Sequence, residues 1–229
     1  MDPIKTIKAK QNQSILSSKE IDFLVSSYSN NQITDEIMTE FLKAVKENGM
    51  NMDETISLTK TMIDSGEKMD FSHLNSYVAD KHSTGGVGDK VSLILGPLMA
   101  SLGITIPMIA GRSLGHTGGT IDKLETIPGF KTDLSIQEFK NCIEKIGLCI
   151  MSQTDSICPA DKKMYALRDV TNTIDSMPLI CGSIMSKKIA EGIRGLVLDI
   201  KIGNGAFMKN LKDGKDLASK LMKVGGAFN

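Results

Sequence analysis

Two glycine-rich segments contain the residues of this chain best suited to binding an anion. The first runs from Lys81 to Lys90 and the second from Gly111 to Thr120, and each holds a cation, hydroxyl groups and a Thr-Gly-Gly sequence. Glycine lets neighbouring backbone N–H groups converge, and a helix that follows adds the positive end of its dipole. Ordinary turns before helices are the alternative, but the cations and hydroxyls in both segments favour a phosphate site.

Several side chains of these segments suit phosphate oxygens, which accept hydrogen bonds from lysine and hydroxyl groups. The candidates are Lys81, Ser83, Ser92 and Thr120. His82 lies among polar residues and is a candidate for acid–base catalysis.

Other polar residues of the two segments are expected to be structural. His116 is one of them, and Asp122 and Glu125 are expected to order the loop and the start of the next helix. Neither segment matches a Walker P-loop or the dinucleotide fingerprint, so no motif predicts binding of a nucleoside triphosphate or a dinucleotide.

A second group of polar residues has helical spacing. Tyr165 and Arg168 are three residues apart, and Ser183 and Lys187 are four apart on the next predicted helix, so each pair shares a face. Two cations and a hydroxyl suit a polar planar ligand. A solvated helix face is the alternative, and for Lys187 alone it is favoured.

Composition narrows the function classes. The 229 residues carry 27 basic and 27 acidic side chains, so no overall positive charge favours nucleic acid. The cysteines form no zinc pattern and predict free thiols in a reducing compartment: Cys142, Cys149, Cys158 and Cys181. The N-terminus lacks an apolar signal sequence, and no apolar run reaches membrane-spanning length. We expect a soluble cytoplasmic protein.

The elements that position these residues change character along the chain. Residues 17–65 predict helices only, with a capping box at Ser17 and Glu20 and further helices after Thr34 and over 53–64. Strands and helices then alternate, which is typical of a parallel sheet. The predicted strands are 77–79, 104–110, 148–151 and 195–202, and the predicted helices are 91–102, 136–146, 161–170, 177–190 and 213–224.

This pattern predicts an α/β protein with two domains. Residues 1–66 and 159–192 are expected to form a discontinuous all-α domain. Residues 75–152 and 195–229 form a mostly parallel α/β domain that binds phosphate and looks incomplete at its C-terminus, because the chain ends soon after the fourth strand.

The sequence resembles the family of pyrimidine-nucleoside and thymidine phosphorylases. The matching blocks occur in the family's order, and the second is close to a diagnostic signature. They are residues 81–89, 111–125, 165–171, 183–188 and 199–209. The resemblance implies a small α domain, here residues 1–66 and 159–192, that forms a homodimer and binds the base, and it implies a larger α/β domain. It also implies cleavage of a pyrimidine nucleoside by inorganic phosphate, giving the free base and an α-pentose 1-phosphate without an organic cofactor.

The resemblance also implies roles for individual residues. Phosphate would be bound by Lys81, Ser83, Ser92 and Thr120. The base would be bound by Tyr165, Arg168, Ser183 and Lys187. His82, Arg168 and Lys187 would be catalytic, with His82 handling a proton near the base. Gly88 and Lys90 would offer backbone carbonyls to a potassium ion.

The chain departs from the family's pattern in three ways. Ala110 stands where many members have a serine that contacts phosphate, and losing one neutral hydrogen bond costs about 0.5–1.5 kcal/mol. Ser113 stands where glycine is common, and the chain has about half the usual length. A phosphoribosyltransferase such as that of anthranilate, or an inactive remnant that only dimerises or binds phosphate, remain alternatives. The choice between thymidine and uridine stays open.

Overall fold

The computed structural model describes residues 1–112 and 118–228, so the expectations for Ser113 and His116 lie outside the described residues. The chain divides into two compact units. We call them the helical unit, Met1–Glu67, Asp155–Ile189 and Ser219–Asn229, and the sheet unit, Lys68–Thr154 and Ala190–Ala218.

Helices and strands follow one another in the order that the sequence predicts for an α/β chain with a helical opening. In chain order they are α1 (Pro3–Gln11), α2 (Ser18–Ser29), α3 (Asp35–Asn48), α4 (Met52–Asp64), β1 (Tyr77–Ser83), α5 (Val91–Ser101), β2 (Ile104–Ala110), α6 (Thr120–Leu124), α7 (Ile136–Ile146), β3 (Leu148–Ser152), α8 (Pro159–Val170), α9 (Met177–Ala190), β4 (Gly195–Asp199) and α10 (Leu211–Gly226). None of the described helices is both long and apolar enough to cross a membrane.

Side-chain caps start several helices of the helical unit. The capping box predicted for α2 is present, since Ser17 accepts from the backbone of Glu20 and the Glu20 carboxylate accepts from the backbone of Ser17. Thr34 precedes α3 as predicted, although its side chain makes no capping hydrogen bond. Helix α1, which Asp2 caps and Pro3 begins, is not predicted from the sequence.

Aliphatic side chains fill the core of the helical unit, and a buried ion pair lies beside them. Lys10 and Glu54 are almost fully buried, and 2.8 Å separates Nζ of Lys10 from Oε1 of Glu54. The same carboxylate accepts from the backbone of Leu16 at 2.9 Å and of Asn51 at 2.8 Å. Glu54 therefore joins α1, the α1–α2 connection and the start of α4.

The sheet unit is built on four described strands in the order β3-β2-β1-β4, all parallel. Strand β1 is longer than predicted because it pairs with β4 as far as Ser83, which lies opposite Asp199. Lys81 and His82 consequently belong to a strand, whereas the sequence analysis placed them in a loop. Strand β4 is shorter than predicted and ends at Asp199.

The C-terminal helix differs from the expected domain division. Residues 195–229 are expected from the sequence in the α/β domain, but the part from Ser219 onward groups with the helical unit. Contacts with α9 explain this difference. Nζ of Lys220 lies 3.0 Å from the sulfur of Met177, and a Cβ on Gly225 would lie 3.1 Å from Cε of Met185.

Replacing Lys10 by Met should lower the free energy of unfolding by about 3 kcal/mol or more, because it leaves the Glu54 carboxylate buried without its cation. Lys43→Met is the matched control, since the Lys43–Glu40 pair is half exposed and should cost about 1 kcal/mol or less. Urea unfolding followed by circular dichroism measures both. Equal losses in the two variants would contradict a stabilising role for the buried pair.

Candidate active site

Lys81 is the buried centre of a network of charges at the carboxyl end of β1. Its Nζ lies 2.8 Å from Oδ1 of Asp89 and 2.9 Å from Oδ2 of Asp199. Lys201 contributes a second cation, 2.8 Å from the same oxygen of Asp199. Neither carboxylate is among the site residues predicted from the sequence. Asp199 was detectable in principle, because the carboxyl ends of neighbouring parallel strands meet at one edge of a sheet.

Asp89 connects Lys81 to Ser92 in the first turn of α5. The hydroxyl of Ser92 donates to Oδ2 of Asp89 at 2.6 Å, and its backbone N–H donates to Oδ1 at 3.3 Å. Burial by itself raises the pKa of Asp89, but the hydrogen bonds from Lys81 and Ser92 outweigh it and hold the pKa below its usual value. Lys81 and Ser92, predicted from sequence to bind the same anion, therefore lie together around an ionised carboxylate.

The glycines of the first segment allow the chain to turn between Lys81 and Asp89. Gly85 and Gly86 both have φ of +80°, a conformation that L side chains rarely adopt. Gly86 also has no room for a side chain, since a Cβ there would lie 2.7 Å from the carbonyl oxygen of Gly205. Ser83 lies at the start of this turn, and its hydroxyl accepts from the backbone of Gly85 at 3.4 Å.

The second segment is closed by backbone packing between its two ends. A Cβ on Gly119 would overlap the backbone of Gly111 and Arg112, so only glycine fits. Gly119 precedes α6, and its N–H donates to the carboxylate of Asp122 at 2.7 Å. The buried Thr120 is the first residue of this helix.

Arg112 holds the same closure with its side chain. Nη1 of Arg112 donates to Oε2 of Glu125 at 2.5 Å, and Nη2 donates to Oε1 at 2.8 Å. The Thr132 hydroxyl also donates to the Glu125 carboxylate. The hydrogen bonds from Arg112 and Thr132 lower the pKa of Glu125 to about 2. Asp122 and Glu125 thus order the segment, as the sequence analysis expected.

The two segments are neighbours in the sheet unit. A Cβ on Gly88 would lie 3.8 Å from Cε of Lys123 in α6, three residues after Thr120. Gly88 and Lys90 are both exposed. The role of their carbonyls as potassium ligands stays a prediction, as does the proton transfer assigned to His82, which is half-buried opposite Leu198 of β4.

The helical unit contains a second buried lysine with a carboxylate and a serine. Nζ of Lys187 lies 2.6 Å from Oδ2 of Asp161 and 2.8 Å from the hydroxyl of Ser183. Lys187 is only 9% exposed, which rules out the solvated helix face that the sequence analysis favoured for this residue alone. Ser183 and Lys187 share a face as their spacing predicted, whereas Asp161 was not foreseen.

Arg168 is buried and occupied with backbone carbonyls. Nη2 donates to Ile174 at 2.7 Å, Nη1 to Leu179 at 3.0 Å and Nε to Thr173 at 3.4 Å. Burial lowers the pKa of Arg168, which stays protonated at neutral pH. The guanidinium thereby fixes the connection between α8 and α9, a structural role that the sequence did not suggest.

Tyr165 lies beside this arginine on the same face of α8. Cζ of Arg168 is 5.5 Å from the centre of the Tyr165 ring, as the three-residue spacing predicted. Burial raises the pKa of Tyr165 to about 12, so its phenol is neutral and able to donate a hydrogen bond.

Comparison with known proteins gives matches for both units. Residues 4–66 match the family model described as "Glycosyl transferase family, helical bundle domain", and residues 75–224 match "Glycosyl transferase family, a/b domain". The chain is 47% identical over 225 residues to the pyrimidine-nucleoside phosphorylase of Geobacillus stearothermophilus, covering 98% of this chain and 52% of that protein. It is 47% identical over 224 residues to the thymidine phosphorylase of Mesorhizobium japonicum, covering 98% and 51%.

A solved structure shows the same fold at low identity. The anthranilate phosphoribosyltransferase of Thermus thermophilus superposes with a TM-score of 0.74 at 16% identity, covering 96% of this chain and 63% of that one. These comparisons confirm the predicted resemblance and the fold class, a helical bundle with a parallel α/β domain. The chain spans about half the length of the curated relatives it matches.

The ion pair between Arg112 and Glu125, which we call the clamp on the second segment, predicts a low pKa for Glu125. Carboxyl NMR titration should give Glu125 a pKa of about 2, and Arg112→Gln should raise it toward the ordinary 4.5, with Thr132 retaining part of the shift. Because the folded pKa is depressed, the pair stabilises the fold above the ordinary pKa and loses that effect as the pH falls toward 2. Arg194→Gln in the same unit is the control. An unshifted Glu125 in the unmodified chain would refute the clamp.

Proposed function

The chain belongs to the glycosyl transferase family through both its helical bundle and its a/b domain, and we propose that it acts in phosphorolysis of pyrimidine nucleosides. In this pentosyl transfer, phosphate replaces the base on the sugar, giving free base and α-pentose 1-phosphate. The observation that carries the proposal is the Lys81–Asp89–Ser92 network, in which Lys81 and Ser92 are buried, in a chain 47% identical to two phosphorylases with these substrates in their names.

Phosphate binding is assigned to the sheet unit. Lys81 supplies the charge, and the hydroxyls of Ser83, Ser92 and Thr120 supply hydrogen-bond donors. Lys81 and Ser92 are buried and already oriented by Asp89, so little side-chain entropy is lost when the anion binds.

Base binding is assigned to the helical unit. Breaking the glycosidic bond places negative charge on the leaving base, and the ammonium of Lys187 stabilises charge that develops there. Ser183 accepts a hydrogen bond from Lys187, so its own O–H is available to donate to a base carbonyl. Nη1 and Nη2 of Arg168 each carry a second hydrogen, which we assign to the base with the phenol of Tyr165.

The remaining parts of the proposal rest on the resemblance. His82 handles a proton near the base, the carbonyls of Gly88 and Lys90 bind potassium, and the helical unit forms a homodimer. The free cysteines support a reducing cytoplasmic compartment.

Phosphorolysis is tested by incubating the chain with thymidine or uridine and measuring base release by chromatography. We expect release with phosphate and none without it. The competing phosphoribosyltransferase function predicts that phosphoribosyl pyrophosphate, and not phosphate, raises the melting temperature. Folded protein that releases no base with phosphate would refute the proposal for this chain.

The phosphate role of Lys81 is tested by measuring KM for phosphate and KM for the nucleoside separately. Lys81→Met should raise KM for phosphate at least about tenfold and change KM for the nucleoside little, because one charge-assisted contact is lost on the phosphate side. Lys145→Met, at an exposed position of the same unit, is the control. A larger rise in the nucleoside KM would reject the assignment.

The base role of Lys187 requires a variant that leaves no buried charge unpaired. The double variant Asp161→Asn/Lys187→Met removes both members of the ion pair and should fold. We expect kcat to fall at least about a hundredfold with a smaller change in KM for phosphate, because the lost contact strengthens in the transition state. Unchanged kcat in the folded double variant would remove Lys187 from the mechanism.

A further inference from the structure

The network around Lys81 contains as many carboxylates as cations. Asp89 and Asp199 both contact Lys81, and Lys201 contacts Asp199, so the four formal charges cancel. The pKa of Asp199 is held low despite burial by its hydrogen bonds with Lys201 and Lys81, so its carboxylate is ionised at neutral pH. An anion that enters this site therefore meets negative charge as well as Lys81.

The two carboxylates differ in what their oxygens contact. Both oxygens of Asp89 are used, Oδ1 by Lys81 and the backbone of Ser92, and Oδ2 by the Ser92 hydroxyl. The ion pairs described for Asp199 both use Oδ2. The Asp199 side chain is also the more exposed, at 25% against 13% for Asp89. Oδ1 of Asp199 is thus the carboxylate oxygen of this network best placed to meet a ligand.

We infer that Asp199 is a specificity-determining residue that lets the site accept oxyanions carrying a proton and reject those that carry none. An ionised carboxylate only accepts hydrogen bonds. Inorganic phosphate and arsenate keep at least one proton at neutral pH and can donate it to Oδ1. Sulfate has no proton to donate, so its oxygens would face the Asp199 carboxylate without a hydrogen bond and be repelled.

This inference rests on the phosphate binding proposed above, but not on catalysis. Its test is therefore direct anion binding without nucleoside. Isothermal titration and thermal melting of the chain with sodium phosphate, arsenate or sulfate, at equal ionic strength, give the three affinities. We expect phosphate and arsenate to bind at least about tenfold more tightly than sulfate, as expected for one hydrogen bond to a charged group.

Asp199→Asn keeps the shape of the side chain and replaces an acceptor oxygen by an amide that can donate. It should bring the affinities for sulfate and phosphate to within about threefold of each other, a ratio that a general loss of stability would not change. Asp133→Asn, at an exposed position of the sheet unit, is the charge-matched control and should keep the discrimination. If the Asn variant does not fold, Asp199→Ser makes the same test.

The possible results distinguish the role inferred for Asp199 from the proposed function of the chain. Sulfate binding as tight as phosphate in the unmodified chain, or unchanged discrimination in a folded Asp199 variant, overturns the inference. Selective phosphate binding without phosphate-dependent base release supports the inference and refutes the proposed function. A chain that binds none of the three anions refutes both.

Discussion

The buried ammonium of Lys81 imposes the constraint on which the sheet unit depends. Removing a lysine from water costs several kcal/mol unless carboxylates compensate for the lost solvation. The carboxylates come from two distant parts of the sequence, the turn after β1 and the end of β4. The strand register that pairs Ser83 with Asp199 brings the Asp199 carboxylate close to Lys81. The positive φ of Gly85 and Gly86 turns the chain so that Asp89 also reaches Lys81. The glycines thus allow the turn that brings Asp89 to Lys81.

The helical unit uses the same chemistry twice, with different consequences. Lys10 and Glu54 form a buried ion pair. Both carboxylate oxygens of Glu54 accept hydrogen bonds from Lys10 or from backbone N–H groups, which is what a structural pair requires. Lys187 and Asp161 instead have a serine hydroxyl beside them, as Lys81 and Asp89 do. A hydroxyl can both accept from the lysine and donate to a ligand. The lysine–aspartate–serine arrangement therefore distinguishes the two candidate binding sites from the buried pair that only supports the fold.

Local patterns in the sequence predicted most of the helices and strands, but few of the residues that contact one another across the fold. The bounds of β2 followed from an apolar β-branched run and those of α7 from an amphipathic pattern, which are properties of neighbouring residues. The second half of β1 was missed because its polar residues suggest a loop, and only pairing with β4 makes them a strand. Asp161 could not be assigned for the same reason, since Lys187 lies 26 residues away in the chain. Asp199 lies 118 residues after Lys81, and only its place at the end of a strand parallel to β1 could have indicated the contact.

These energies also bear on Ala110, the position where the family resemblance implies a serine in many members. Ala110 ends β2 and lies opposite Ser152 of β3, so the backbone that leads into the second segment is fixed by strand pairing and not by the side chain. The missing hydroxyl would contribute about 0.5–1.5 kcal/mol. Charge-assisted contacts are about twice as strong, and leaving the Lys81 ammonium without compensation would cost several kcal/mol. For the proposed phosphate site, the charged network and the backbone closure at Gly119 therefore matter more than one neutral hydroxyl.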